Sequence, residues 1–268
     1  MPIISTSNPL LESFFSQFDG KNRPCLILDY DGTLAPFKVK RLEATPYPEV
    51  KKALQNIVKN KHTQISIVSG RNALEVKTLL DITPSPEIWG CHGWEHLCKD
   101  GVLKVAPLPT NVSHGLEIAR FSAENTPYGE FIEWKGTSIA VHWRGCSATL
   151  KKSLETEFKD QWEKLTKSHS LELIHFDGGY ELRPIGFNKY DAVKTILEDR
   201  QGKGPVAYLG DDITDEDAFA AMKDVGLSVL VKNENKESLS DIQLKPPGEL
   251  LDFLNLWIKM EDSFRARS

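Results

Sequence analysis

Long apolar runs are missing from this sequence. No stretch approaches the roughly 18 apolar residues that a membrane-crossing helix needs, so no spanning segment is expected. Within Met1 to Phe15 there is neither a basic segment nor a continuous apolar one, so no secretory leader is expected there. Cysteine is scarce. Cys25, Cys91, Cys98 and Cys146 are scattered, with no C-x-x-C pair. They read as reduced thiols of a cytoplasmic protein, not as a disulfide scaffold. A basic excess is also absent: 33 Lys and Arg stand against 38 Asp and Glu, a formal net charge of −5. Such a chain has no global field to draw in nucleic acid or an anionic membrane, and no local basic stripe replaces it. Neither partner is expected, and an anionic substrate would have to be held by local cations. Internal repeats and low-complexity tracts are lacking too. What remains is ordinary globular composition, 40% apolar and 26% charged over 268 residues. A chain of this length buries about three quarters of its unfolded surface and needs no disulfide or metal to fold.

Hydrophobic patterning divides the chain. Cys25-Leu26-Ile27-Leu28 is a short continuous apolar run ending at Asp29, the pattern of a parallel strand buried on both faces. A helix over Pro48 to Lys59, a strand over Gln64 to Val68, a helix over Ala73 to Leu80 and a strand over Glu87 to Cys91 are predicted next. Asp100-Gly101 marks a hairpin between short strands. The alternation implies a parallel α/β sheet.

After the Pro107, Pro109, Thr110, Asn111 stretch the pattern changes to helix, strand, strand, helix, strand, strand. The long helix carries the stripe Leu150, Leu154, Phe158, Trp162, Leu165, and Asp177-Gly178-Gly179 joins the last two strands. From Lys189 onward α/β alternation returns. The expected organisation is a discontinuous core, 1–107 and 186–268, with an α+β insert at 108–185.

Chemistry gathers at the predicted strand ends, where ligands of open parallel sheets bind. Asp29-Tyr30-Asp31-Gly32-Thr33 follows the first strand, and Gly32 allows a sharp turn. Two carboxylates two residues apart can hold a hard cation and still face a substrate. A plain turn with two local caps is the alternative. An EF-hand fails on spacing, because position twelve from Asp29 is Lys40. Gly210-Asp211-Asp212-Ile213-Thr214-Asp215-Glu216-Asp217 follows another apolar run. Thr214 as a helix N-cap with Asp217 three residues on accounts for part of it. Asp211 and Asp212 need another reason, since so many acids repel unless a cation sits among them. Ser69-Gly70-Arg71 and Lys189 supply a hydroxyl, an amide-rich turn and cations. Phosphoryl transfer needs this set: nucleophile, acid/base, metal site and charge for the equatorial oxygens.

In that order these motifs resemble the haloacid dehalogenase-like (HAD) phosphohydrolases. Within them the chain is similar to the trehalose-6-phosphate phosphatases, through Asp31 to Pro36, His92-Gly93-Trp94-Glu95, Glu133-Trp134-Lys135-Gly136, His142-Trp143-Arg144 and Glu181-Leu182-Arg183-Pro184. The resemblance implies an α/β fold: a HAD-like Rossmannoid core with a parallel sheet and an inserted αββαββ (C2B-type) cap. It implies Asp29 as nucleophile, forming an aspartyl-phosphate, and Asp31 as acid/base. Mg²⁺ would be held by Asp29, the Asp31 backbone carbonyl and Asp211, with Asp212 and Asp215 in support. Ser69 and Lys189 would hold the phosphoryl oxygens. Gly70, Arg71 and His92 are assigned to substrate binding, with bracing of the loop as the alternative for Arg71. From the insert, Glu133, Lys135, Arg144 and Glu181 would bind the sugar. The implied substrate is trehalose 6-phosphate, or else another sugar or glycosyl phosphate. A functional partnership with a trehalose-6-phosphate synthase is implied too.

Three departures from the family pattern stand out: Tyr190 after Lys189, no lysine in Asp177-Gly178-Gly179-Tyr180, and Trp94 where a smaller residue is usual. His92-Gly93-Trp94-Glu95-His96 spells the H-x-x-E-H of zinc peptidases. That motif requires a helix, and glycines flank His92. The alternative is a loop near the sugar for His92 and Glu95, with His96 exposed. A catalytically dead module is the other rival, but every motif acid is present. Trp162 and Trp89 are expected in the core. Trp134 and Trp143 face either a sugar or the insert's own helices.

Overall fold

The computed structural model describes residues 8–176, 178–186, 188–200 and 204–265. Its elements are α1 (Pro9–Ser16), β1 (Cys25–Leu28), α2 (Pro48–Asn60), β2 (Gln64–Val68), α3 (Ala73–Leu80), β3 (Glu87–Gly90), β4 (Glu95–Leu97) and β5 (Leu103–Val105). Next come α4 (Thr110–Glu124), β6 (Ile132–Trp134), β7 (Ile139–His142), α5 (Ala148–Thr166), β8 (Leu171–Phe176) and β9 (Gly179–Pro184). The chain ends with α6 (Lys189–Asp199), β10 (Val206–Gly210), α7 (Ile213–Met222), β11 (Leu227–Val231), β12 (Ile242–Leu244) and α8 (Gly248–Arg265). Packing separates two units, 1–104 with 189–268, and 105–188. Among the described residues no helix is long and apolar enough to cross a membrane.

The first unit holds the eight-stranded sheet β12-β11-β10-β1-β2-β3-β4-β5. From β12 to β3 neighbouring strands are parallel, and β3 and β4 are antiparallel. The apolar run of β1 is explained by burial on both faces. Leu26 and Leu28 join the core under α1, α2, α3 and α8, whereas Cys25 and Ile27 join the core under α6 and α7. Strand order turns at β1, so its C-terminal end is the place where loops diverge and leave a crevice. α1 and β12 were not anticipated. Helix α1 is only eight residues long and buries Leu11, Phe14 and Phe15 on one side, with Phe14 against Trp257 and Phe15 against Phe253 of α8. β12 is three residues long, too short for any periodicity to register.

The second unit is the antiparallel sheet β6-β7-β9-β8 with α4 and α5 packed on one face. Leu154, Phe158, Trp162 and Leu165 of the expected stripe are buried there, and Leu150 packs at its edge. Trp143 is buried against Tyr180, and Arg120 of α4 lies over the Trp134 ring at 5.2 Å. Both tryptophans therefore serve the helix side. Asp177, in the expected turn between β8 and β9, lies outside the described residues, as does Phe187.

A buried carboxylate and ammonium cluster at the end of β1

Strand β1 delivers Asp29 to its C-terminal end, where the Asp29 N–H donates to the Leu209 carbonyl at 2.8 Å. The side chain is buried and its Oδ1 accepts from Lys189 Nζ at 2.6 Å. Lys189, the first residue of α6, also donates to Asp215 Oδ1 at 2.7 Å. The same Asp215 oxygen accepts from the Tyr208 hydroxyl. Its other oxygen accepts the backbone N–H groups of Asp211 and Asp212, each at 3.1 Å. Asp215 is thus wholly engaged in holding Lys189 and the start of α7. Asp212 is the N-cap of α7 with Asp215 at N3, not Thr214 with Asp217, because the helix begins two residues earlier than that cap implies. One cation among these acids is Lys189, 26 positions before Asp215.

Electrostatics follow from burial. Desolvation pushes Asp29 up to about 8, against the pull of Lys189 and with Asp215 adding to the rise. Asp211 is raised well above the ordinary carboxylate range by burial first, then by Asp29 and Asp215. Burial pulls Lys189 down, but the charges of Asp215 and Asp29 outweigh it and leave it raised. The Asp211 carboxylate lies so close to Gly32 that a side chain there would collide with it, and Gly32 has φ +80°. Both facts require glycine. Oxygens of Asp29, Asp211 and Asp215 lie within 4.8 Å of one another. When ionised, three carboxylates against one ammonium carry an excess of buried negative charge, which an oxygen-seeking divalent cation would complement in place of protons.

Ser69 directly follows strand β2 and is buried. Its N–H donates to the Trp89 carbonyl at 2.8 Å, its carbonyl accepts His92 N–H at 2.9 Å, and its Oγ accepts Arg71 N–H at 3.2 Å. Gly70 lies under the His92 ring: a Cβ there would be 2.8 Å from Nε2. Arg71 grips Asp31 with two bonds, Nε to Oδ2 at 2.6 Å and Nη2 to Oδ1 at 2.7 Å. Its third nitrogen meets Glu75, which also accepts from Arg41 at 3.3 Å. These bonds tie Arg71 to Asp31 and to Glu75 of α3. Sequence reasoning passed over Glu75, although Arg71 and Glu75 sit at the i, i+4 spacing of a helical ion pair.

The H-x-x-E-H segment does not converge. His92 has left-handed backbone, φ 58°, between Cys91 at 49° and Gly93 at 108°. Glu95 accepts from Ala73 N–H at 2.7 Å and Asn72 Nδ2 at 3.1 Å, capping α3. His96 is stacked on Trp89 with centroids 4.0 Å apart and bonds Glu87 at 2.6 Å. Glu95 is thus a helix cap rather than part of a sugar loop, and His96 is covered rather than exposed. Flat stacking on a neighbouring-strand tryptophan covers one face of its ring. Trp94 is buried. Tyr190 is 37% exposed, with Lys194 Nζ 5.8 Å from its ring centre, so its bulk points away from Lys189 and its partners.

In the second unit β6, β7 and β9 bring another set together. Glu181 Oε1 accepts from Lys135 Nζ at 2.9 Å and Ser138 Oγ at 2.6 Å. Glu133 Oε2 meets His142 Nε2 at 2.8 Å and Lys135 Nζ at 4.0 Å. Register explains the grouping: Ala140 of β7 pairs with Glu133 on one side and Glu181 on the other, so both acids share the face opposite α4 and α5. Arg144 lies beside Gly178, where an added Cβ would be 3.2 Å from its Nε. Ser138 and His142 were not assigned from sequence, and strand alternation is the signal that places them.

Comparison with known proteins bears on both sets. Residues 27–245 match the trehalose-phosphatase family. A trehalose-phosphate phosphatase of Mycobacterium marinum is 27% identical over 248 residues, 86% of this chain and 60% of that protein. The C-terminal domain of the Candida albicans trehalose-6-phosphate phosphatase superposes with a TM-score of 0.76 at 21% identity, covering 91% of this chain and 95% of that one. A haloacid dehalogenase-like hydrolase from Bacteroides thetaiotaomicron gives 0.62 at 14%, covering 87% and 99%. The chain spans from 18% to 60% of the length of the first curated relatives that it matches.

Proposed function

The chain belongs to the trehalose-phosphatase family, and from that premise we propose that it is a Mg²⁺-dependent phosphatase releasing trehalose and phosphate from trehalose 6-phosphate. The observation that carries the reading is the buried Asp29–Lys189–Asp215 chain beside Asp211. A nucleophilic carboxylate has to be kept from bulk water yet held at a fixed angle; burial does the first and the Lys189 hydrogen bond the second.

In the proposed reaction an Asp29 oxygen attacks phosphorus while the bond to the sugar oxygen breaks. Asp31 gives its proton to that oxygen. An aspartyl-phosphate is left, with Lys189 and Ser69 holding its equatorial oxygens. Water then attacks the same phosphorus, Asp31 takes its proton, and phosphate leaves as the Asp29 carboxylate is restored. Arg71 engages one lone pair on each Asp31 oxygen and so fixes the carboxyl group, leaving the second lone pair of each oxygen to carry the proton. Asp29, the Asp31 carbonyl and Asp211 would hold the Mg²⁺, with Asp212 and Asp215 in support. The ion would supply positive charge to the phosphoryl oxygens. Gly70 and His92 shape the loop that carries Ser69. In the 105–188 unit Glu133, Lys135, Arg144 and Glu181 are the sugar-recognising set. A trehalose-6-phosphate synthase, which would supply the substrate, is the partner that this reading implies.

The deciding experiment is phosphate release from a panel of sugar phosphates with Mg²⁺ and with EDTA. Fastest turnover of trehalose 6-phosphate, abolished by EDTA, is the expected result. Faster turnover of another sugar phosphate replaces the substrate assignment. No turnover of any leaves a binding module.

A further inference from the structure

The sheet of the 105–188 unit has its helices on one face. On the other, register sets His142, Gly179 and Phe176 in one row: His142 pairs with Gly179, and Gly179 with Phe176. That row neighbours the one holding Glu133 and Glu181. The Phe176 ring lies down over Gly179, where any side chain would collide with it and with the Val141 carbonyl. His142 meets the ring with centroids 5.5 Å apart at 61°. His142 is itself fixed by its 2.8 Å bond to Glu133. The ring is therefore held from beneath by backbone and at its side by an imidazole, and it is half-buried.

A flat ring bordered by two carboxylates and an ammonium suits one chemical class. A pyranose offers an apolar C–H face and a rim of hydroxyls. The face rests on an aromatic ring, and the hydroxyls bond the charged groups. The tryptophans that could have served are turned to the helix side, Trp143 against Tyr180 and Trp134 beneath Arg120. We propose that Phe176 is a specificity-determining residue, the platform for a pyranose ring of the sugar phosphate, with His142 as its positioning residue. This inference rests on the sugar-phosphatase reading above.

Its test is Phe176→Leu, which keeps apolar bulk over Gly179 but removes the flat face. KM for trehalose 6-phosphate is expected to rise roughly three- to tenfold, the range of one aromatic contact, with kcat little changed. Inhibition by inorganic phosphate, which has no sugar to stack, should be unaltered. Phe176→Tyr should restore KM. An unchanged KM in Phe176→Leu overturns the inference and leaves the phosphatase reading standing. An equal loss of phosphate affinity also overturns it, by marking Phe176 as structural. If the unaltered protein prefers another sugar phosphate, the same ratio is measured on that substrate and decides in the same way. If it hydrolyses no sugar phosphate, the reading fails and the inference falls with it.

Discussion

Lys189 Nζ and Asp29 Oδ1 are 2.6 Å apart, both side chains are buried, and 160 positions separate them in sequence. This pair ties the start of α6 to the end of β1. Removing its positive half in Lys189→Met leaves Asp29 and Asp215 buried without their ammonium. A loss of about 3–5 kcal/mol is expected, the usual cost of orphaning a buried charge. Urea unfolding of the metal-free protein measures it; a loss below about 1 kcal/mol would mean that the carboxylates take up protons and need no cation.

Asp29→Asn changes the nucleophile and little else. The amide oxygen still accepts from Lys189, so circular dichroism should match the unaltered protein. Turnover should fall by on the order of 10⁶, as for loss of another covalent nucleophile. Substantial residual activity would remove Asp29 from the role of nucleophile.

Metal should stabilise this fold, increasingly so with rising pH. Asp29 is raised to about 8 and Asp211 is raised as well. A carboxylate raised on folding binds its proton more tightly in the folded state. Its stabilising effect is complete below the unfolded pKa and is lost as pH climbs through the folded one. The metal-free protein should therefore weaken toward pH 8. A divalent ion competes with those protons, so the gain in Tm on adding Mg²⁺ should grow from pH 6 to pH 9. A gain that shrinks over that range would place the ion elsewhere.

Glu181→Ala takes the acceptor from Lys135 and Ser138. Turnover of the sugar phosphate should drop far more than that of a small aryl phosphate. An equal drop on both substrates would place Glu181 outside sugar recognition.

Thiol reactivity should follow burial. Cys25 is pushed up to about 12, chiefly by desolvation, so almost no thiolate exists at pH 8. Cys98 and Cys146 are partly exposed, while Cys25 and Cys91 are buried. Mass spectrometry after brief alkylation should find Cys98 and Cys146 modified first, and Cys25 only after unfolding. Early modification of Cys25 would show that β1 opens readily.

Much of this molecule can be read directly from sequence. Continuous apolar runs bounded by acids identify strands buried on both faces, because only a strand covered twice can dispense with polar residues. The stripe from Leu154 to Leu165 identifies α5 for the equivalent helical reason. Motif order sets Asp29, Ser69 and Asp211 just after strands of one sheet, since parallel topology sends those ends to the same edge, and Lys189 at the start of a helix packed on that sheet.

Pairing is another matter, because a side chain's partner depends on chain segments whose approach no local pattern records. Arg71 gripping Asp31, Asp215 saturated by four donors, Glu95 capping α3 and His96 stacked on Trp89 are all decided by tertiary packing. In the second unit the residue types and their alternation are in the sequence, yet only the register of β7, β8 and β9 sets Phe176 over Gly179 and beside His142. Local sequence determined which groups are present and which face of an element they occupy. The tertiary structure decided which of them meet, because burial makes each polar group find a partner and the fold determines which partners lie within reach.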